Sequence, residues 1–207
     1  MNLRYPVSRY IYRPISQRAA VLLIRTPITP TQITWFSGSL TVGGGVAFGF
    51  GAYILGAILI LLGVITDCID GDLARMTHRT SRVGAFLDSV LDRWTDAALI
   101  AGLGLSDAER FGALASLALA AAMLVSYTRA RAQSLGVDCP DGIGARDTRI
   151  FILVVAALFD RVEIGLWLVV ATGMVTAVQR MVIAARRLGA ADRADEGLSL
   201  RSSTEDR

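Results

Sequence analysis

Asp67, Asp70 and Asp72, followed by Asp88, Asp92 and Asp96, fall within two largely apolar stretches of the chain. A carboxylate inside a membrane helix costs on the order of 2.5–3.5 kcal/mol on insertion scales, so its presence there points to function. Asp67 and Asp70 are i,i+3 and Asp88 and Asp92 are i,i+4, so each pair projects from one face of a helix. The short loop 76–83 makes the two helices antiparallel neighbours and brings the four carboxylates together. Converged anions repel, and the ionisable groups alongside, Asp72, Arg75 and Arg93, do not offset four of them. One or two divalent cations do, and an all-oxygen donor set selects Mg²⁺ or Mn²⁺, with positions left open for water and substrate phosphate. Gly71 and Ala74 on the same face, with Gly84 opposite, let a bulky ligand approach the backbone between the acids. This is the equipment of phosphoryl transfer. A helix-cap and salt-bridge cluster is the structural alternative.

The elements that hold these residues are membrane helices. The 207 residues are 53% hydrophobic, with a mean hydropathy of +0.51, which is too apolar for a soluble globule. Cys68 and Cys139 lack metal or disulfide spacing, and a net charge of +3 places no nucleic-acid-binding tail on the chain. All 21 basic residues are arginine. Apolar stretches long enough for spans cover roughly 32–51 and 53–75, divided by a turn at the glycine cluster 43–51, then 84–105, 111–127, 150–159 and 162–182. The expected fold is all-α and polytopic, with six transmembrane helices, of which the fifth has the shortest uncharged core. Arginines crowd the N-terminal segment, the loops 76–83 and 128–149, and the end beyond Arg180, so both termini are expected in the cytoplasm of a multi-pass cell-membrane protein. Residues 1–31 read as a juxtamembrane segment, with Tyr5, Val7, Tyr10, Ile11 and Ile15 alternating with arginines in an interfacial amphipathic helix. Residues 32–187 form the catalytic domain and 188–207 a solvated tail.

Asp67xxAsp70Gly71xxAla74Arg75, eight residues, then Gly84xxxAsp88xxxAsp92 resembles, at every specified position, the signature of the CDP-alcohol phosphotransferase family of membrane enzymes. The resemblance implies a six-helix fold, a homodimer, and a CDP-linked lipid such as CDP-diacylglycerol as donor. It also implies transfer of the substituted phosphate to an alcohol with release of CMP. It assigns Asp67, Asp70, Asp88 and Asp92 to metal, and Asp92 also to the proton of the acceptor hydroxyl. Thr31, Gln32, Ile33 and Thr34, at the opening of the first helix, are similar to a segment that helps hold the nucleotide. Gly71, Ala74, Arg75, Ser81 and Gly84 correspond to positions around the nucleotide or diphosphate. Arg75 can neutralise phosphate or pair with Asp72.

A second basic group accompanies the acids. Guanidinium groups offer planar paired donors to phosphate, and Ser126, Arg129, Arg146, Arg149 and Arg180 fall on the arginine-rich side. Ser126-Tyr127-Thr128-Arg129-Ala130-Arg131-Ala132 and Val178-Gln179-Arg180 resemble runs of the prokaryotic phosphatidylinositol-phosphate synthase branch, which implies a phosphorylated polyol, inositol phosphate, as acceptor. Ala145-Arg146-Asp147-Thr148-Arg149 departs from that branch, which more often has an acid before each arginine. Glycerol 3-phosphate is the alternative acceptor, and a cation-coupled transporter the alternative of another class. A transporter predicts acids at the bilayer midplane and repeated halves, whereas here the acids cluster at one end of one hairpin.

Overall fold

The computed structural model describes residues 13–139 and 142–205, with side chains over 16–139 and 142–193. Among them are seven α-helices: α1 (Arg13–Leu23), α2 (Pro30–Gly49), α3 (Tyr53–Met76), α4 (Arg82–Ser106), α5 (Ala108–Ser134), α6 (Arg146–Leu158) and α7 (Val162–Glu205). Helices α2 to α7 stand at the six places expected of spans. Three of them, α3, α5 and α7 over Val162–Arg193, are long and apolar enough to cross a membrane by themselves. With 13 residues, α6 is only about 20 Å long and falls short of a hydrocarbon core of roughly 30 Å. Most of the amphipathic pattern expected over Tyr5–Ile15 lies outside the described residues. Within residues 1–31 the described part contains α1, which packs Ala20 against Ile33 of α2 and Leu73 of α3.

The turn between α2 and α3 spans residues 50–52 and has Gly51 at φ +73, where an L side chain would be strained. The triple glycine 43–45, expected near that turn, instead lies inside α2 and sets helix packing. A Cβ on Gly45 would strike the Ala98 carbonyl of α4, and one on Gly102 would strike the Gly45 carbonyl. Small residues here let two backbones touch, as is common between membrane helices. The core that results is a layer of Phe48, Ile60, Leu99, Leu103, Leu153 and Leu166 with the alanines of α5. The outer surface is also apolar, carrying Trp35, Phe36, Ile54, Ile58, Leu117, Leu124, Trp167 and Val175. That much exposed apolar surface suits a lipid surround rather than water.

Alternating helix direction sorts the ends of the bundle. One end carries the α2–α3 turn, the α4–α5 junction and the α6–α7 junction, where Arg110 pairs with Glu163 at 3.0 Å. The other gathers the start of α2, the end of α3, the start of α4, the end of α5 and the start of α6. Helix α7 begins at the first end, and Arg180, eighteen residues on, has risen about 27 Å to the second. Beyond its apolar part α7 stays helical through the segment expected as a tail, and Arg187 Nη1 donates to the Asp138 carbonyl at 2.5 Å. His78 in the α3–α4 loop has φ 53 and is exposed. Both cysteines are free.

Candidate active site

The α3–α4 hairpin joins its carboxylates. One oxygen from each of Asp67, Asp70 and Asp88 lies within 4.8 Å of the others. Asp67 is half-buried, Asp70 buried and Asp88 exposed, so the group opens outward from the helix pair. Neighbouring hydroxyls set two of the three: Thr34 Oγ1 donates to Asp70 Oδ2 at 2.5 Å, and Ser37 Oγ lies 3.5 Å from Asp67 Oδ1. Three clustered carboxylates on two rigid helices, with hydroxyls behind them, fit a hard divalent cation. The chemistry that a bound cation supplies is charge neutralisation on a diphosphate.

Asp92, expected as the fourth ligand, is turned toward guanidinium groups. Its Oδ1 is 2.7 Å from Arg146 Nη1 and its Oδ2 3.3 Å from Arg93 Nη2. Arg146 Nη1 is also 3.4 Å from Asp67 Oδ2, so one arginine links the two helices of the hairpin. Asp92 thereby stands at the edge of the three-carboxylate group, in the wall of a cavity.

That cavity, of about 410 Å³, is bordered by Asp88 and Asp92 of α4, Ser126 and Arg129 of α5, Arg146 and Arg149 of α6, and Arg180 of α7. All five residues expected to meet an acceptor phosphate therefore line one space, next to the acids. Their commitments differ. Arg180 is buried and its Nη1 donates to the Val125 carbonyl at 2.6 Å. Ser126 Oγ donates to the Ala122 carbonyl at 3.1 Å. Arg149 is held by Asp96 at 2.5 Å, a pairing that separation in sequence hid.

Around the expected nucleotide positions, local structure accounts for several groups. Thr29 caps α2, its hydroxyl accepting from Gln32 N at 3.3 Å, while Gln32 Oε1 accepts from Thr29 N at 2.9 Å. This is a capping box. Thr31 is exposed and Ile33 buried in the cluster with α1 and α3. Ser81 caps α4 by accepting from Gly84 N at 3.0 Å. Arg75 lies over Gly71 and pairs with Asp72 at 2.7 Å, the second of the two roles open to it from sequence. Ser16 Oγ of α1 donates to the other oxygen of Asp72 at 2.5 Å. Ala74 sits one residue before Arg75 on the same helix end and is half-buried. Sequence reasoning missed Ser16, Ser37 and the Asp96 partner of Arg149; an unassigned intramembrane aspartate was the available signal for the last.

Fold and site define a helical membrane protein with a divalent-cation site beside an arginine-lined cavity. Residues 27–179 match the family model of CDP-alcohol phosphatidyltransferase. An archaetidylinositol phosphate synthase of Pyrococcus horikoshii is 36% identical over 173 residues, covering 83% of this chain and 92% of the relative. A phosphatidylinositol phosphate synthase of Streptomyces avermitilis is 36% identical over 194 residues, covering 84% and 80%. Among solved structures, Mycobacterium tuberculosis phosphatidylinositol phosphate synthase with CDP-DAG bound superimposes with TM-score 0.75 at 28% identity, over 83% of this chain and 94% of that one. The same enzyme in complex with manganese and citrate gives TM-score 0.76 at 27% identity, over 82% and 88%. The chain belongs to the CDP-alcohol phosphatidyltransferase family and is a membrane-bound transferase.

Proposed function

We propose that this protein transfers the phosphatidyl group of CDP-diacylglycerol to an inositol phosphate, releasing CMP, with Mg²⁺ or Mn²⁺ held by Asp67, Asp70 and Asp88 and with Asp92 at the edge of that site. The observation that carries the reading is the shared wall: Asp88 belongs to the three-carboxylate group and, with Asp92, also borders the arginine-lined cavity. A donor diphosphate at the acids and an acceptor phosphate at the arginines would then lie side by side. The relatives named above, synthases of inositol-phosphate lipids, support inositol phosphate as the acceptor.

In this reading Arg129, Arg146, Arg149 and Arg180, with Ser126, hold the acceptor phosphate by charge-assisted hydrogen bonds. Its hydroxyl is thereby directed at the lipid-linked phosphorus. The new P–O bond forms as the bond to the CMP phosphate breaks, and CMP departs with the electron pair. The hydroxyl proton passes to Asp92, whose carboxylate faces the cavity. Thr31, Gln32, Ile33 and Thr34 at the start of α2, with Gly71, Ala74, Arg75, Ser81 and Gly84, surround the nucleotide. Backbone N–H groups at a helix start suit its phosphates.

The topology that goes with this function has α2 to α7 as six spans, the short α6 shielded by α3, α4 and α7. Both termini and the site face the cytoplasm, α1 lies at the interface, 32–187 is the catalytic domain, and the lipid tails rest against the exposed apolar helix faces. Homodimerisation belongs to the same reading and rests on family membership alone.

The test is product analysis with purified protein, CDP-diacylglycerol and Mn²⁺. CMP and a phosphatidylinositol phosphate should appear when inositol phosphate is added and disappear with chelator. Product from glycerol 3-phosphate in place of inositol phosphate would replace the acceptor. No CMP with either would end the proposal.

A further inference from the structure

Among the described residues, three buried side-chain nitrogens make no hydrogen bond: Nε of Arg93, of Arg146 and of Arg149. All three arginines border the same cavity of about 410 Å³. A buried N–H left without an acceptor is costly, and most such groups in native proteins are paired, so each of these three calls for a partner. Arg146 and Arg149 belong to the set proposed for the acceptor phosphate. Arg93 has no place in that set or among the metal ligands. It follows Asp92 directly on α4 and so stands about 100° further round the helix. Ser89, four residues before Arg93, shares its face and borders the cavity as well. The α4 wall thus carries two adjoining strips, the acids Asp88 and Asp92 and, beside them, Ser89 and Arg93.

We infer that Arg93, with Ser89, binds a hydroxyl of the polyol acceptor beside the one that attacks, and so selects the polyol rather than holding its phosphate. The inference rests on the proposed function. The charge of Arg93 is already met, because its Nη2 is 3.3 Å from Asp92 Oδ2. What it has left in the wall is the Nε–H, which is buried although the side chain as a whole is 34% exposed. A phosphate is best met by paired, charged donors, and the arginines of α5, α6 and α7 supply them. A hydroxyl oxygen needs one donor, and the Ser89 hydroxyl can donate or accept in turn. Position agrees with this division. Asp92, proposed to take the proton of the attacking hydroxyl, is the partner of Arg93, so Arg93 flanks the reacting end of the acceptor. An acceptor with no hydroxyl there leaves the buried N–H unpaired, which is how a polar site discriminates most sharply between related substrates.

Arg93→Lys keeps the charge beside Asp92 and removes the Nε–H, and Ser89→Ala removes the hydroxyl of an exposed residue. Both are made in the full chain. KM for inositol phosphate, KM for CDP-diacylglycerol, the Mn²⁺ requirement and inhibition by inorganic phosphate in competition with the acceptor are measured for each. Both variants are expected to raise KM for inositol phosphate about tenfold, the loss of one hydrogen bond. Inhibition by inorganic phosphate, KM for CDP-diacylglycerol and the Mn²⁺ requirement should stay as in the parent. Weaker inhibition by inorganic phosphate in Arg93→Lys, in step with the acceptor KM, would make Arg93 one more phosphate ligand and overturn the inference. An unchanged acceptor KM in Arg93→Lys would overturn it too, because the Nε–H would then serve only the packing of α4. If Arg93→Lys does not fold, Ser89→Ala decides by the same two readings. Absence of CMP release in the parent protein would strike the functional reading instead. Calorimetric binding of inositol phosphate and of inorganic phosphate then decides: a loss in Arg93→Lys for the first alone supports the inference, and an equal change in both, or none, overturns it.

Discussion

Thr34 of α2 donates its hydroxyl hydrogen to the carboxylate of Asp70 on α3 across 2.5 Å, although the two residues are 36 apart in sequence. The same hydroxyl lies 3.0 Å from the Pro30 carbonyl, but it has one proton and the carboxylate is the stronger acceptor. The bond orients Asp70 toward Asp67 and Asp88 and joins the helix expected to hold nucleotide to the helix expected to hold metal. Thr34→Val should weaken Mn²⁺ activation about tenfold to a hundredfold, the usual effect of losing a partner behind a ligand. A Mn²⁺ titration of CMP release measures it, and excess metal should recover most of the rate.

Arg146 has two claims on it, the carboxylates of Asp67 and Asp92 and the phosphate of an acceptor. Replacement by alanine should therefore have opposite effects on two ligands. Acceptor KM should rise by about tenfold or more, because a charge-assisted bond is lost, while Mn²⁺ should bind more tightly, because a competing cation is gone from Asp67. Steady-state kinetics and direct Mn²⁺ binding read the two effects separately. Arg146→Lys should keep the competition and lose the paired donors.

Ser16 ties α1 to the end of α3 through Asp72, both residues being buried. Ser16→Ala should lower stability by about 1–3 kcal/mol, because it leaves one carboxylate oxygen without its donor in a buried position. Thermal unfolding in detergent should show this as a lower melting temperature. Arg75, held by the other oxygen of Asp72, should also lose part of its orientation, raising KM for CDP-diacylglycerol.

The parts of the site written within one or two helical turns were readable from sequence. Asp67 and Asp70, then Asp88, had to share faces of an antiparallel hairpin, and the helices around them followed from uncharged length. Contacts across many residues were not readable: nothing local in the chain joins Thr34 to Asp70, Ser16 to Asp72, or Asp96 to Arg149 53 residues away. Glycines misled for a related reason. A run such as Gly43-Gly44-Gly45 permits a turn or a close helix approach with equal ease, and only the backbone of α4 against Gly45 distinguishes them. The extension of α7 was obscured because its apolar residues thin out near Ile183, while alanine, arginine and glutamate continue to favour helix.

Direct binding of Mn²⁺, followed by its electron paramagnetic resonance signal in parent protein and in Asp67→Asn, Asp70→Asn and Asp88→Asn, addresses the three-carboxylate site without relying on turnover. Each substitution should weaken binding by about tenfold or more and abolish CMP release. Asp107→Asn, at the far end of the bundle where Asp107 caps α5, should bind as the parent does. Parent-like Mn²⁺ affinity in all three hairpin variants would contradict the account.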